Sequence, residues 1–197
     1  MPDDRVLEKY NAYKLGWLHD SIHFIVLIIV LFVLFRFVIG FSVVGGDSMN
    51  PNLQNGDLVL YFRMEKEFLP GDVISIRVPS GDYYVKRVAA VGGDEVDLRG
   101  GRVYVNGEEL DDEWAQGETL EESGAVIYPY KVREGNVFVL GDNRMVSMDS
   151  RRFGEVNLRQ IRGKLLLRIS RGGIQHVEDK TGPEQAEEAA GAAQTTE

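Results

Sequence analysis

Glu95-Val96-Asp97-Leu98 and Arg102-Val103-Tyr104-Val105, joined across Gly100-Gly101, are two short alternating runs either side of a glycine pair, and their reading decides the fold. Alternation with a period of two sends successive side chains to opposite faces of a strand. A glycine pair supplies the left-handed backbone that a tight hairpin turn needs, and Asn106-Gly107 offers a second such turn at once. Outward from this hairpin, residues 57–62, 72–78 and 83–91 are β-branched or aromatic and bounded by Gly and Pro, and residues 137–140 and 164–169 continue the set. Many short strands with Gly-rich turns predict a mainly β fold, an antiparallel β-sandwich or partly closed barrel. Residues 111–134 are acidic and poorly patterned, and are expected to form a surface excursion.

The N-terminal fifth is of another kind. Phe24-Ile25-Val26-Leu27-Ile28-Ile29-Val30-Leu31-Phe32-Val33-Leu34-Phe35 is unbroken apolar sequence, interrupted by Arg36 and resumed by Phe37-Val38-Ile39-Gly40-Phe41. A bilayer core of about 30 Å takes roughly 20 apolar residues as a helix. Residues 21–44 supply that length and show no polar face of the kind a core helix carries. One N-terminal transmembrane helix is therefore expected ahead of the β domain, as a retained anchor. A cleaved secretory leader fits less well, because Phe41-Ser42-Val43-Val44 is a poor small-residue cleavage site. Arg5, Lys9 and Lys14 precede the span, which predicts a single-pass protein of the cell membrane with residues 1–20 cytoplasmic and the rest extracytoplasmic.

Charge and composition narrow the chemistry. With 31 acidic against 22 Lys and Arg residues the 197-residue chain carries a net charge of −9, which argues against a nucleic-acid partner. Residues 176–197 hold six acidic side chains against Lys180 and almost nothing bulky, so they read as an acidic disordered tail, leaving 45–175 as the β domain. Cysteine is absent, which excludes disulfides, thiol catalysis and Cys-based zinc sites. His19, His23 and His176 are the only imidazoles. Two sit at the cytoplasmic side of the span and one opens the tail, so a Ser-His-Asp arrangement has no usable base.

Gly46-Asp47-Ser48-Met49-Asn50-Pro51-Asn52-Leu53 follows the apolar run and holds Ser48 on a tight turn. Without histidine, the base must be an amine. Lys86 stands mid-strand, sharing a face with Tyr84 and Val88 while Val85 and Arg87 face the other way. Apolar neighbours on a strand face disfavour the charged form of an amine and lower its pKa, the condition for general-base work near neutral pH. On the residues alone the plainer readings, a turn serine and a surface lysine, stay open.

The order of motifs resembles that of type I signal peptidases, membrane-bound Ser/Lys-dyad serine proteases, in their Gram-positive form. The anchor is followed by Gly46-Asp47-Ser48-Met49, then Gly71-Asp72-Val73-Ile74, then Tyr84-Val85-Lys86-Arg87-Val88 with Gly92-Gly93-Asp94. Last comes Gly141-Asp142-Asn143-Arg144-Met145-Val146-Ser147-Met148-Asp149-Ser150-Arg151. The resemblance implies Ser48 as nucleophile and Lys86 as general base. It further implies Ser147 as the hydroxyl that orients the lysine amine, Asp149 and Arg151 as braces of that wall, and Asp142 and Asn143 as shapers of the same turn. The backbone N–H of Ser48 is the implied oxyanion donor. Implied partners are secretory preproteins bearing signal peptides, cut after small residues, and the lipid bilayer; no metal or organic cofactor is implied. Gly46 stands where some members carry a hydroxyl residue, and Asn52 stands where Thr is usual.

Overall fold

The apolar run folds as helix in the computed structural model, which describes residues 4–78, 80–122, 126–170 and 172–177, with the backbone alone described for 4–16 and 18. The first of two units ends at Ile39. Its helix α1 (Asp4–Val33) runs into a five-residue π-helical turn, Leu34–Val38. Within it, His19–Val38 is long and apolar enough to cross a membrane, and Phe24, Leu27, Leu31 and Phe35 have no cover from the protein. The charged end of the stretch, Arg36, lies in its last turn.

The expected span, 21–44, overshoots this helix. Ile39–Val43 is strand β1, at the edge of the main sheet. Its residues alternate, with Gly40 buried and Phe41 and Val43 exposed, but the alternation is hidden inside an all-apolar stretch. Gly40 is required there: a Cβ would run into the Tyr61 ring.

The second unit, from Gly40 onward, is mainly β. Its strands are β2 (Leu58–Phe62), β3 (Val73–Arg77), β4 (Tyr83–Val91), β5 (Glu95–Arg99), β6 (Arg102–Val105) and β7 (Glu108–Glu109). They continue with β8 (Tyr130–Lys131), β9 (Asn136–Leu140), the one-turn helix α2 (Ser150–Phe153), β10 (Val156–Asn157), β11 (Ile161–Ser170) and β12 (Gly173–His176). The main sheet runs β1-β2-β11-β3-β4-β9-β10, with β12 beside β11. A smaller sheet runs β7-β6-β5-β8. Pairing from β2 to β10 is antiparallel, as expected, and of the two architectures foreseen the curled, partly closed one is found. Bulges in β11 and β4 bend the sheet, as an extra residue in one strand does. The hairpin turns read from sequence form with positive φ at Gly100, Gly101, Asn106 and Gly107.

Three apolar clusters fill the unit. One, around Phe138, Val96 and Leu98, lies under the small sheet. A second packs Ile74, Ile76, Val88 and Val139. The third, Val44, Met49, Leu53, Val59, Tyr61, Val73 and Leu165, holds the turn that carries Ser48.

Two boundaries differ from expectation. The tail was expected from residue 176, yet His176 closes β12, and Val177 packs on the third cluster and donates its N–H to the Leu166 carbonyl. A glycine-turned hairpin extends the sheet past the point where composition becomes polar; residues 178–197 lie outside the described residues. The excursion expected at 111–134 is not wholly superficial either. Trp114, Thr119 and Val132 are buried, β8 joins the small sheet, and Gln116 bridges to Asn143.

Candidate active site

The Ser48 turn is anchored by its own apolar residues. Met49 and Leu53 sink into the third cluster, Leu53 N–H donates to the Met49 carbonyl at 2.8 Å, and Asn50 N–H to the Asp47 carbonyl at 3.1 Å. Between exposed Asp47 and buried Met49, Ser48 is left half-buried at the surface. Gly46 sits at φ +86°, a conformation that strains any residue with a side chain.

Lys86 lies on β4 with β3 alongside, Ile74 facing it in register. Its side chain is only 2% exposed. Nζ is 2.6 Å from Ser48 Oγ and donates to the Val85 carbonyl at 3.1 Å, with the Tyr84 ring beside it, 5.5 Å from amine to centroid. Burial pulls the amine from the ordinary 10.5 to about 8, against the opposing pull of Asp149 and Asp142 and with a smaller push down from Arg151. Such an amine holds a neutral fraction near pH 7 and can take a proton from the hydroxyl it touches. Val43, Gly45, Ser75 and Tyr83 line the shallow cleft beside the pair.

The last sequence motif packs behind Ser48, joined to it by the bond from Asn143 N–H to the Ser48 carbonyl. Asp149 is fully buried and caps α2, accepting from Arg151 Nε and Nη2 at 2.9 Å each and from Gly141 N–H at 3.0 Å. Arg151 Nη2 also donates to the Arg144 carbonyl at 2.7 Å. Asp149 and Arg151 form a buried ion pair. Ser147 lies in the same segment, but the bond expected from it to Lys86 is not made. It is 5% exposed, and its Oγ has no hydrogen-bond partner among the described residues. The hydroxyl is turned onto Gly141, where a Cβ would overlap it and fall 2.6 Å from the Ser48 carbonyl oxygen.

Asp142 and Asn143 do more than shape a turn. Asn143 N–H donates to the Ser48 carbonyl at 3.0 Å. Asp142 accepts from Arg87 Nε at 2.9 Å and Nη2 at 2.8 Å, and from Asn52 Nδ2 at 2.9 Å. Arg87, directly after Lys86, faces away from it as strand alternation requires, and also stacks on Trp114 at 4.9 Å. Buried Arg144 pairs with Asp112 at 2.7 Å, bonds Thr119, and donates to the Gly141 carbonyl. Sequence reasoning missed Arg87, Asn52, Trp114 and Arg144. The one available signal was Arg87 mid-strand, with apolar Val85 and Ala89 either side of it on the same face, a placement that demands a buried acid. Among the described residues no group of three His, Asp or Glu side chains is placed to hold a metal ion.

A serine hydroxyl touching a buried amine is the geometry of a nucleophile and its base, and comparison with known proteins gives a peptidase family. The family model described as "Signal peptidase, peptidase S26" matches residues 17–170. Signal peptidase I of Bacillus caldolyticus is 36% identical over 145 residues, 66% of this chain and 78% of that protein. Signal peptidase I of Bacillus licheniformis is 32% identical over 172 residues, 79% of this chain and 90% of that one. Signal peptidase IB of Staphylococcus aureus is 32% identical over 162 residues, 72% and 83% of the two chains. The matched region runs from the apolar helix through every element that holds Ser48 and Lys86, and the chain belongs to the signal peptidase family, peptidase S26.

Proposed function

We propose that the protein removes signal peptides from exported preproteins by acyl transfer through a dyad of Ser48 and Lys86. The observation that carries this is the 2.6 Å contact between Ser48 Oγ and an amine that burial holds near a pKa of about 8. Neutral Lys86 accepts the hydroxyl proton as Oγ attacks the scissile carbonyl. The tetrahedral oxyanion is met by the Ser48 N–H, and Lys86 returns the proton to the leaving amine. Lys86 then activates the water that hydrolyses the acyl-enzyme. No step calls on a metal or cofactor.

The substrate lies extended in the cleft between residues 42–45, at the end of edge strand β1, and the start of β4, where backbone pairing can hold a strand. The closeness of the cleft walls favours small side chains before the cut. The anchor tethers the enzyme to the membrane in which apolar leaders arrive, raising their effective concentration. Arg5, Lys9 and Lys14 ahead of the span favour a cytoplasmic N-terminus and an extracytoplasmic β domain.

The test is cleavage of a labelled preprotein by the detergent-solubilised full chain. Ser48→Ala and Lys86→Ala should each lower the rate by roughly 10⁴-fold or more while leaving the protein folded. Cleavage at the wild-type rate by either variant overturns the dyad.

A further inference from the structure

Asn52 is in the Ser48 turn but four residues beyond the nucleophile, and its bonds run away from the reacting atoms. Nδ2 donates both of its hydrogens, one to the Asp142 carboxylate and one to the Trp114 carbonyl, each at 2.9 Å. Two oxygen acceptors fix which way the amide points, since its own oxygen would be repelled from both. The Asn52 main-chain carbonyl accepts from Arg168 Nη1 at 2.7 Å, and the Arg168 guanidinium also pairs with buried Asp57 at 2.6 Å.

These contacts close a loop through the site. Asn52 holds Asp142, Asp142 holds Arg87 by two bonds, and Arg87 is the chain neighbour of Lys86. Lys86 reaches Ser48, and Ser48 returns through four peptide links to Asn52. A second tie, Asn143 N–H to the Ser48 carbonyl, secures the other end of the turn to the same two-residue segment. The strand carrying the amine and the turn carrying the hydroxyl also share the third apolar cluster, where Val85 packs with Met49 and Leu53, but apolar packing is not directional. The directional bonds that fix their separation converge on Asp142.

We infer that Asn52 is a positioning residue, which fixes the distance between Ser48 and Lys86 by fastening the nucleophile turn to the Arg87–Asp142 pair. The inference rests on the dyad reading above and deepens it. Only a side chain with two donors on one atom meets both acceptors. A threonine hydroxyl, with a single donor, serves one of them. Aspartate would bring a second carboxylate against Asp142 with no hydrogen to share.

The experiment compares full-chain Asn52→Ala, Asn52→Thr and Ser48→Ala in preprotein cleavage, with thermal midpoints and pH profiles of kcat/KM. Displacement of a reacting group by about 1 Å can cost about 100-fold. Asn52→Ala should therefore lose roughly 10- to 100-fold in kcat, with KM changed by less than about 3-fold. Its acid limb should also move to higher pH, because a turn that drifts off Lys86 admits water to the amine. The charges around that amine, Asp142, Asp149 and Arg151, and the Tyr84 ring remain in place in the variant. Asn52→Thr should recover part of the rate and shift the limb less. Wild-type kcat and an unmoved limb in Asn52→Ala overturn the inference, as does a loss of rate that only tracks the folded fraction. If Asn52→Ala does not fold, Asn52→Thr carries the same two readouts, and wild-type values there overturn it equally. Cleavage by Ser48→Ala would overturn the dyad itself, whereas an inactive Ser48→Ala beside a normal Asn52→Ala removes only the role of Asn52.

Discussion

Replacing Lys86 with methionine should abolish cleavage and yet make the folded protein more stable at neutral pH. The amine is buried, and burial takes its pKa from 10.5 to about 8. That difference corresponds to about 3 kcal/mol by which the fold disfavours the charged amine. Methionine follows the same unbranched path without a charge. It forfeits the neutral amine's bonds to Ser48 and the Val85 carbonyl, together worth about 1 kcal/mol, so the net gain at pH 7 is about 2 kcal/mol.

The sign depends on pH. Below pH 8 lysine is charged in both states and the folded wild type bears the full penalty. Between 8 and 10.5 the unfolded chain binds a proton that the folded one does not, so wild-type stability rises with pH. The advantage of Lys86→Met should then fall by roughly 1.4 kcal/mol per pH unit, vanish near about pH 9.5 and be reversed by about pH 10.5, where only the lost hydrogen bonds remain. Denaturant unfolding of the two proteins in detergent, followed by the fluorescence of buried Trp114, measures this at pH 7, 8, 9 and 10. The wild-type kcat/KM should rise through an acid limb near the same pH of about 8. A stability difference that does not change with pH, or an acid limb above pH 10, refutes the argument that desolvation tunes this amine.

Two further outcomes test the segment that packs behind Ser48. Gly141→Ala should reduce kcat/KM by at least about 10-fold, because the new methyl overlaps the Ser147 hydroxyl and presses on the Ser48 carbonyl; steady-state cleavage with a thermal midpoint measures it, and a wild-type rate contradicts the packing described. Asp142→Ala should cost about 3–5 kcal/mol in chemical denaturation, since it leaves the buried Arg87 guanidinium without its acid; a loss below about 1 kcal/mol would mean that Arg87 finds other partners.

What the sequence reveals here follows the range of the interactions. The hairpins at Gly100-Gly101 and Asn106-Gly107 are legible because turn chemistry is local. β2, β3 and β4 are legible because each is a short β-branched or aromatic run bounded by Gly and Pro, a local signal that holds even where β3 and β4 are buried on both faces. β1 is not, because Ile39-Gly40-Phe41-Ser42-Val43 continues an apolar helix without a break, and only contact with Tyr61 distinguishes it. β12 and Val177 are lost for the opposite reason, polar composition masking an edge that pairs only once β11 exists. At the site, Ser48 and Lys86 are found through ordered motifs, and the face of Arg87 is found through alternation. Its partner lies 55 residues on, and no local pattern names it. The misplaced expectation, a bond from Ser147 to Lys86, came from resemblance; the site's own packing turns that hydroxyl onto Gly141.

The distribution of charge explains how an amine can stay basic enough to work and neutral enough to begin. Both acids whose pull would raise Lys86 are already matched, Asp149 by Arg151 and Asp142 by Arg87. Each carboxylate also binds backbone or amide hydrogens of the wall, Gly141 N–H for one and Asn52 Nδ2 for the other. Both still pull the amine upward, but by less than burial pulls it down. Had either acid stood unpaired, its field in this dry setting would have opposed desolvation directly and kept the amine protonated. Burial thus remains the dominant influence on Lys86, while the ion pairs of the two acids fasten the loops that place the hydroxyl against the amine.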